Sequence, residues 1–169
     1  DNKQTITGFD LASTIGLGLV GDEAATASEI DVTAADATGA DDTLKVRVEN
    51  TNGGTSSIID VSAVENLALD IRAANTVTLD LSTAEVTGIS ITEKAGINSG
   101  AIALGTLHKN TTSLTSTSDG ALTASFANQN NAVTSSAVTF SGKGTAVQNV
   151  TGGVKGDTFT LGSTGGITH

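Results

Sequence analysis

The chain has 169 residues and a formal net charge of −10, with no Cys, Pro, Met, Trp or Tyr and only 4 Phe. Without Cys there is neither a disulfide framework nor a thiolate metal site. The acidity argues against nucleic acid, whose phosphates need Lys and Arg, and against attraction to anionic lipid, while it suits divalent cations or simple solubility. No stretch approaches the ~18 apolar residues of a membrane helix, so no membrane insertion is expected. Beginning at Asp1 without Met, the sequence reads as a mature fragment or an excised domain of a secreted protein.

Abundant Thr, Val and Ile favour strands, because branching at Cβ fits an extended backbone. Gly, Asn and Asp supply turns. Residues 1–28 read as an irregular lead-in or linker. Their best apolar run, Ile15 to Val20, is short and broken by Gly16 and Gly18, and Asp22 to Ser28 offers one short helix at best. Residues 29–169 read as one β-solenoid-like domain.

Ile30-Asp31-Val32-Thr33 opens that domain. Asp36 follows, then Gly39-Ala40-Asp41-Asp42-Thr43-Leu44. Four carboxylates within twelve residues form a dense supply of hard oxygen ligands, suited to Ca2+ through Asp36, Asp41 and Asp42. The plainer alternative is an acidic turn before a strand. That strand runs from Leu44 to Val48, and Asn52-Gly53-Gly54 is a turn signal after it.

A ten-residue repeat comes next: Ile59-Asp60-Val61-Ser62, Leu69-Asp70-Ile71-Arg72, Leu79-Asp80-Leu81-Ser82 and Ile89-Ser90-Ile91-Thr92. Alternation at period two makes each unit a strand with one buried face. Short strands at regular spacing fit a sandwich or a solenoid. The likeness between units favours a parallel β-helix or two-sheet β-solenoid, with a β-sandwich as the alternative. Two decads then form a coil of about twenty residues. Asp60 and Asp80 fall on one sheet and Asp70 on the other, with stacked carboxylates ~4.8 Å apart.

Beyond residue 93 the spacing loosens. Strands are expected at Ile102 to Leu104, Leu114 to Ser116, Leu122 to Phe126, Val138 to Phe140, Val147 to Val150 and Phe159 to Leu161, with a loop at Asn128 to Asn131. The Thr-x-Thr units (Thr5/Thr7, Thr76/Thr78, Thr115/Thr117, Thr158/Thr160) do not recur at one register in the sequence. Near the end, Gly152-Gly153-Val154-Lys155-Gly156-Asp157-Thr158-Phe159-Thr160 resembles the calcium-binding nonapeptide of RTX proteins, with Lys155 in place of the third Gly. Gly156 and Asp157 are its candidate metal residues. Glycines permit a tight turn whose carbonyls face a hard cation, and Asp supplies charge.

Catalytic clusters are missing. His108 and His169 are far apart, and His108 beside Lys109 and Asn110 reads as an exposed turn. A Ser-His-Asp triad therefore has no support. A carbohydrate-cleaving β-helix would want aromatic side chains in its cleft, and no Trp or Tyr is present.

The succession of an acidic turn at Gly39 to Leu44, then Val64-Glu65-Asn66-Leu67-Ala68-Leu69, Val77-Thr78-Leu79 and Val86-Thr87-Gly88-Ile89 resembles RTX-type bacterial surface-layer proteins and type I-secreted adhesins. The resemblance covers about residues 36 to 162. It implies a non-enzymatic structural module, extracellular at the cell surface. Its partners would be copies of itself in a lattice or filament and cell-surface polysaccharide, and its assembly would depend on calcium. An adhesin or ice-binding module is the alternative, since a Thr ladder on a flat sheet can order water.

Overall fold

The computed structural model describes residues 3–11, 14–18, 29–34, 41–50, 57–97, 100–129, 136–142, 146–161 and 167–168. In chain order the strands are β1 (Lys3–Phe9), β2 (Thr14–Gly18), β3 (Glu29–Ala34), β4 (Thr43–Asn50), β5 (Ser57–Ser62), β6 (Asn66–Ile71), β7 (Val77–Asp80) and β8 (Gly88–Glu93). There follow β9 (Ile102–Thr106), β10 (Ser113–Ser116), β11 (Leu122–Ser125), β12 (Thr139–Gly142), β13 (Gln148–Thr151), β14 (Thr158–Leu161) and β15 (Ile167–Thr168), with one 3-10 turn at Ala127–Gln129. Odd-numbered strands build an eight-stranded sheet in the order β1-β3-β5-β7-β9-β11-β13-β15, and even-numbered strands a seven-stranded sheet from β2 to β14. Neighbouring strands are parallel. Each coil thus gives one strand to each sheet, and the molecule is a two-sheet parallel β-solenoid.

The period-two pattern decides which side chains enter the space between the sheets. In β6 Leu67, Leu69 and Ile71 are buried, while Asn66, Ala68 and Asp70 face outward. Identical inward positions stack from coil to coil: Leu44 on Leu67, Ile89, Leu114, Phe140 and Phe159. The column beside it narrows around Phe140 and widens again to Leu161 next to Phe159. Val46, Leu69 and Ile91 give way to Ser116 and Gly142. A Cβ on Gly142 would stand 2.7 Å from the Phe140 ring, so the small residue makes room for the large one.

The coils are unequal. Successive positions in the Leu44 column are 23, 22, 25, 26 and 19 residues apart. The decad expectation of twenty is therefore only approximate. Asp60 and Asp80 do share a sheet, with Asp70 on the other. Yet Asp80 lies opposite Ile58, and the stacked carboxylates are Asp31 and Asp60.

The first 28 residues, expected as an irregular lead-in, carry β1 and β2, which continue the two sheets onto β3 and β4. Strand addition to an existing parallel edge supplies order that local pattern does not. The expected helix at Asp22 to Ser28 lies outside the described residues, as does Asn52-Gly53-Gly54.

Candidate functional site

The two acidic motifs fall at the same corner of the solenoid. Asp42 and Asp157 each immediately precede a strand of the seven-stranded sheet, and so do Glu65, Thr87, Thr112 and Val138. These six residues form one ladder along the solenoid, rung on rung. Backbone bonds join the rungs: Asn66 N–H donates to Asp42 O at 2.9 Å, Gly88 N–H to Glu65 O at 3.0 Å, Thr139 N–H to Thr112 O at 2.8 Å and Thr158 N–H to Val138 O at 2.9 Å.

Side chains reinforce that ladder, each reaching back one coil. Glu65 Oε2 accepts the Asp42 N–H at 3.0 Å. The Thr87 hydroxyl donates to Glu65 O at 3.0 Å and the Thr112 hydroxyl to Thr87 O at 3.5 Å. Asp157 Oδ1 accepts the Val138 N–H at 3.0 Å, while its Oδ2 accepts the Gly153 N–H at 2.8 Å. Glu65, Thr87, Thr112 and Asp157 are thus latches between coils.

This geometry explains much of the nonapeptide-like segment. A Cβ on Gly152 would press on Asp157 Oδ2 and the Phe159 ring, so a larger residue there would displace the Asp157 latch. At Gly153 a Cβ would meet Gln129 at 2.9 Å. Gly156 is exposed, and a Cβ there would meet only open space. Each Asp157 carboxylate oxygen accepts one N–H, which takes up part of the lone-pair capacity a cation would use.

At the other acidic turn the situation differs. Asp41 is exposed, and Asp36 lies outside the described residues. The Asp42 Oδ2 atom is buried with no hydrogen-bond partner, while the backbone N–H of the same residue donates to Glu65 Oε2. Burying an unsatisfied carboxylate oxygen is costly, so a cation or water there would be favoured. Asp42 and Asp157 are not brought together. Their strands, β4 and β14, are five steps apart in the sheet, roughly 24 Å at the usual strand spacing. Among the described residues no three His, Asp or Glu side chains converge as a metal group.

Of the decad carboxylates, Asp70 pairs with Arg72 at 2.8 Å and Asp80 Oδ1 accepts the Ser82 N–H at 2.9 Å. His108 is half-buried in a turn, where its Nδ1 accepts the Asn110 N–H at 3.3 Å.

Several latch residues were not singled out in the sequence. Besides Glu65, Gln129 is buried beside the corner and its amide Nε2 donates to Thr111 O at 3.1 Å and to Lys109 O. Thr111, fully buried, donates its hydroxyl to Val86 O at 2.9 Å. A polar residue at a coil corner, just ahead of an alternating strand, is the signal that would have found Glu65 and Thr111. Gln129 follows β11 in a 3-10 turn and carries no such mark.

The outer face of the seven-stranded sheet carries a second feature. Ser90, Thr115, Ser141 and Thr160 stand in one row across four strands, and Ser113, Thr139 and Thr158 in the adjacent row. Unequal coil lengths hide this register in the sequence. Once the coils stack, Thr160 of one Thr-x-Thr unit aligns with Thr115 of another.

No family model, curated protein or solved structure matches the chain. Among the described residues no helix is long and apolar enough to cross a membrane.

Proposed function

We propose that this chain is a non-catalytic structural module of an extracellular, self-assembling bacterial surface layer or filament. The observation that carries the reading is the corner ladder. There Glu65, Thr87, Thr112 and Asp157 join one coil to the next, and rows of hydroxyls cover the outer face of the seven-stranded sheet. Copies of the chain, and cell-surface polysaccharide on the hydroxyl face, are its partners. Calcium binds the acidic turn at Asp41 and Asp42, where Asp42 Oδ2 is buried without a hydrogen-bond partner, rather than Asp157, both of whose oxygens accept N–H groups.

Thermal unfolding with and without calcium tests this. Added calcium is expected to raise the melting temperature of the wild type and of Asp157→Asn, but not of Asp42→Asn. Chelator should disperse ordered assemblies of the protein. Arrays that survive complete calcium removal would sink the metal-joined reading.

The in-register hydroxyl rows favour one second reading, an ice-binding or adhesive face. Rows repeat ~4.8 Å across the strands and ~6.6 Å along them, a regular grid on which water can order. Freezing-point depression by the monomeric chain would favour it over the structural role.

A further inference from the structure

We propose that the outer face of the seven-stranded sheet holds a binding site for an acidic polysaccharide, in which Lys45, Arg47 and Arg72 take the carboxylate of a uronic acid unit over a recess at Ala68. This rests on the polysaccharide part of the reading above and names the class of glycan.

Charge is the first observation. The chain has 18 acidic residues against 8 Lys and Arg, yet four of those 8 stand together at β4, β6 and β8. Lys45 and Arg47 are outward residues of β4. Arg72 and Lys94 follow β6 and β8 on successive rungs, since the Arg72 N–H donates to Val48 O at 2.8 Å and the Lys94 N–H to Ile71 O at 3.0 Å. Glu49 and Asp70 are the carboxylates among them, so the patch is positive on a molecule that is negative as a whole.

Shape is the second. Ala68 lies between Lys45 and Ser90 across the strands and between Asn66 and Asp70 along β6. Its methyl is the floor of a hollow of about 330 Å³ walled by Lys45, Arg47, Asp70, Arg72 and Thr92, in the size range of small-molecule clefts. A second hollow of about 240 Å³ adjoins it at Asn66 and Ser90, lined by Thr43, Ser113 and Thr115 with Gly88 beneath. A charged hollow beside one of hydroxyl and amide groups suits sugar units that carry both carboxylate and hydroxyls. The chain has no Trp or Tyr on which a neutral sugar could stack, so charge and hydrogen bonds must carry recognition.

The cations are able to turn to such a ligand. Arg72 gives Nε to Asp70 at 2.8 Å, which fixes the guanidinium and leaves its Nη donors. Arg47 Nη1 meets Glu49 at 3.2 Å on the surface, while its Nε is buried without a hydrogen-bond partner. Turning that guanidinium onto an oxyanion in the hollow gives up only an exposed ion pair, which is worth little in water, and gives Nε an acceptor. The fork of N–H donors on Arg matches a carboxylate, and Lys45 is exposed at the rim.

The test is calorimetric titration with a short oligogalacturonate, a neutral galactose oligomer of the same length and inorganic phosphate. Calcium-free buffer keeps a bridging ion from recruiting the glycan to other carboxylates. Lys45→Gln/Arg47→Gln removes charge from the hollow, Ala68→Leu fills it at unchanged charge, and Lys109→Gln removes an exposed charge elsewhere. Far-UV circular dichroism checks that each variant folds. Wild type is expected to bind the uronate oligomer and not the neutral one. The double variant should weaken binding about tenfold or more, the scale of one charge-assisted hydrogen bond. Ala68→Leu should also weaken it, and Lys109→Gln should leave it unchanged. Loss in the double and in Lys109→Gln alike, with Ala68→Leu unaffected, would reduce the effect to net charge and overturn the site. Phosphate binding as tight as that of the oligomer would overturn it in favour of a free-anion site. Equal binding of the neutral oligomer, indifferent to the variants, would overturn the acidic-glycan site and leave a polysaccharide on the hydroxyl face. A wild type that binds none of the three would overturn the site and the polysaccharide partner together, while self-assembly is read separately by sedimentation velocity. If the double variant abolishes self-association and the wild type binds no uronate, the hollow takes a second copy and the proposal falls.

Discussion

At Asp157 a carboxylate accepts two backbone N–H groups, one from its own turn and one from the preceding coil. Asn at this position keeps the shape but has one acceptor oxygen, and its NH2 group must face an N–H donor. Leaving such a group unsatisfied costs about 1–3 kcal/mol. Asp157→Asn is therefore expected to lower stability by about that amount in urea unfolding followed by circular dichroism. The loss should be equal with calcium and with chelator, because the role is that of a latch. A loss confined to calcium-containing buffer would instead make Asp157 a metal ligand. The same segment shows what one residue type can and cannot signal. Gly152 and Asp157 were legible as a turn because their spacing is that of a known calcium turn. Whether a carboxylate meets a cation or an N–H depends on the neighbouring coil, and Val138 is 19 residues away in sequence.

At the level of the strand, a small inward residue makes room for a large one at Phe140. Phe140 occupies one column, and the adjacent column holds Ser116 and Gly142. Gly142→Ala places a methyl 2.7 Å from the ring carbon of Phe140, and crowding of this kind in a packed core costs about 1–3 kcal/mol. The expected result is a lower unfolding midpoint, largely recovered by adding Phe140→Leu, which removes the crowding ring. An unchanged midpoint in the single variant would mean that the column yields without strain. Strands β4 to β14 were readable because alternation of apolar and polar residues is a local property. Strands β1 and β2 were not, because they are ordered by pairing with β3 and β4. Register was the least legible feature. The decads predict a twenty-residue coil, whereas loops of unequal length set steps from 19 to 26 in the Leu44 column. Those same loops align Thr115 with Ser141 and Thr160.

For the whole molecule, each strand pairs only with the strands one coil before and one coil after. Stability in such a stack is close to a sum of coil and nearest-neighbour contributions, and opening can begin at either end. The middle is the better sealed part: Leu67, Leu69, Ile71 and Ile91 are each at most 1% exposed, whereas Phe9 and Phe159 are only partly buried. Amide hydrogen exchange should therefore be slowest in β6 and β8 and faster toward β1, β14 and β15, since local opening needs less free energy where fewer apolar contacts are broken. Uniform protection along the chain would instead mean that the solenoid opens as one unit.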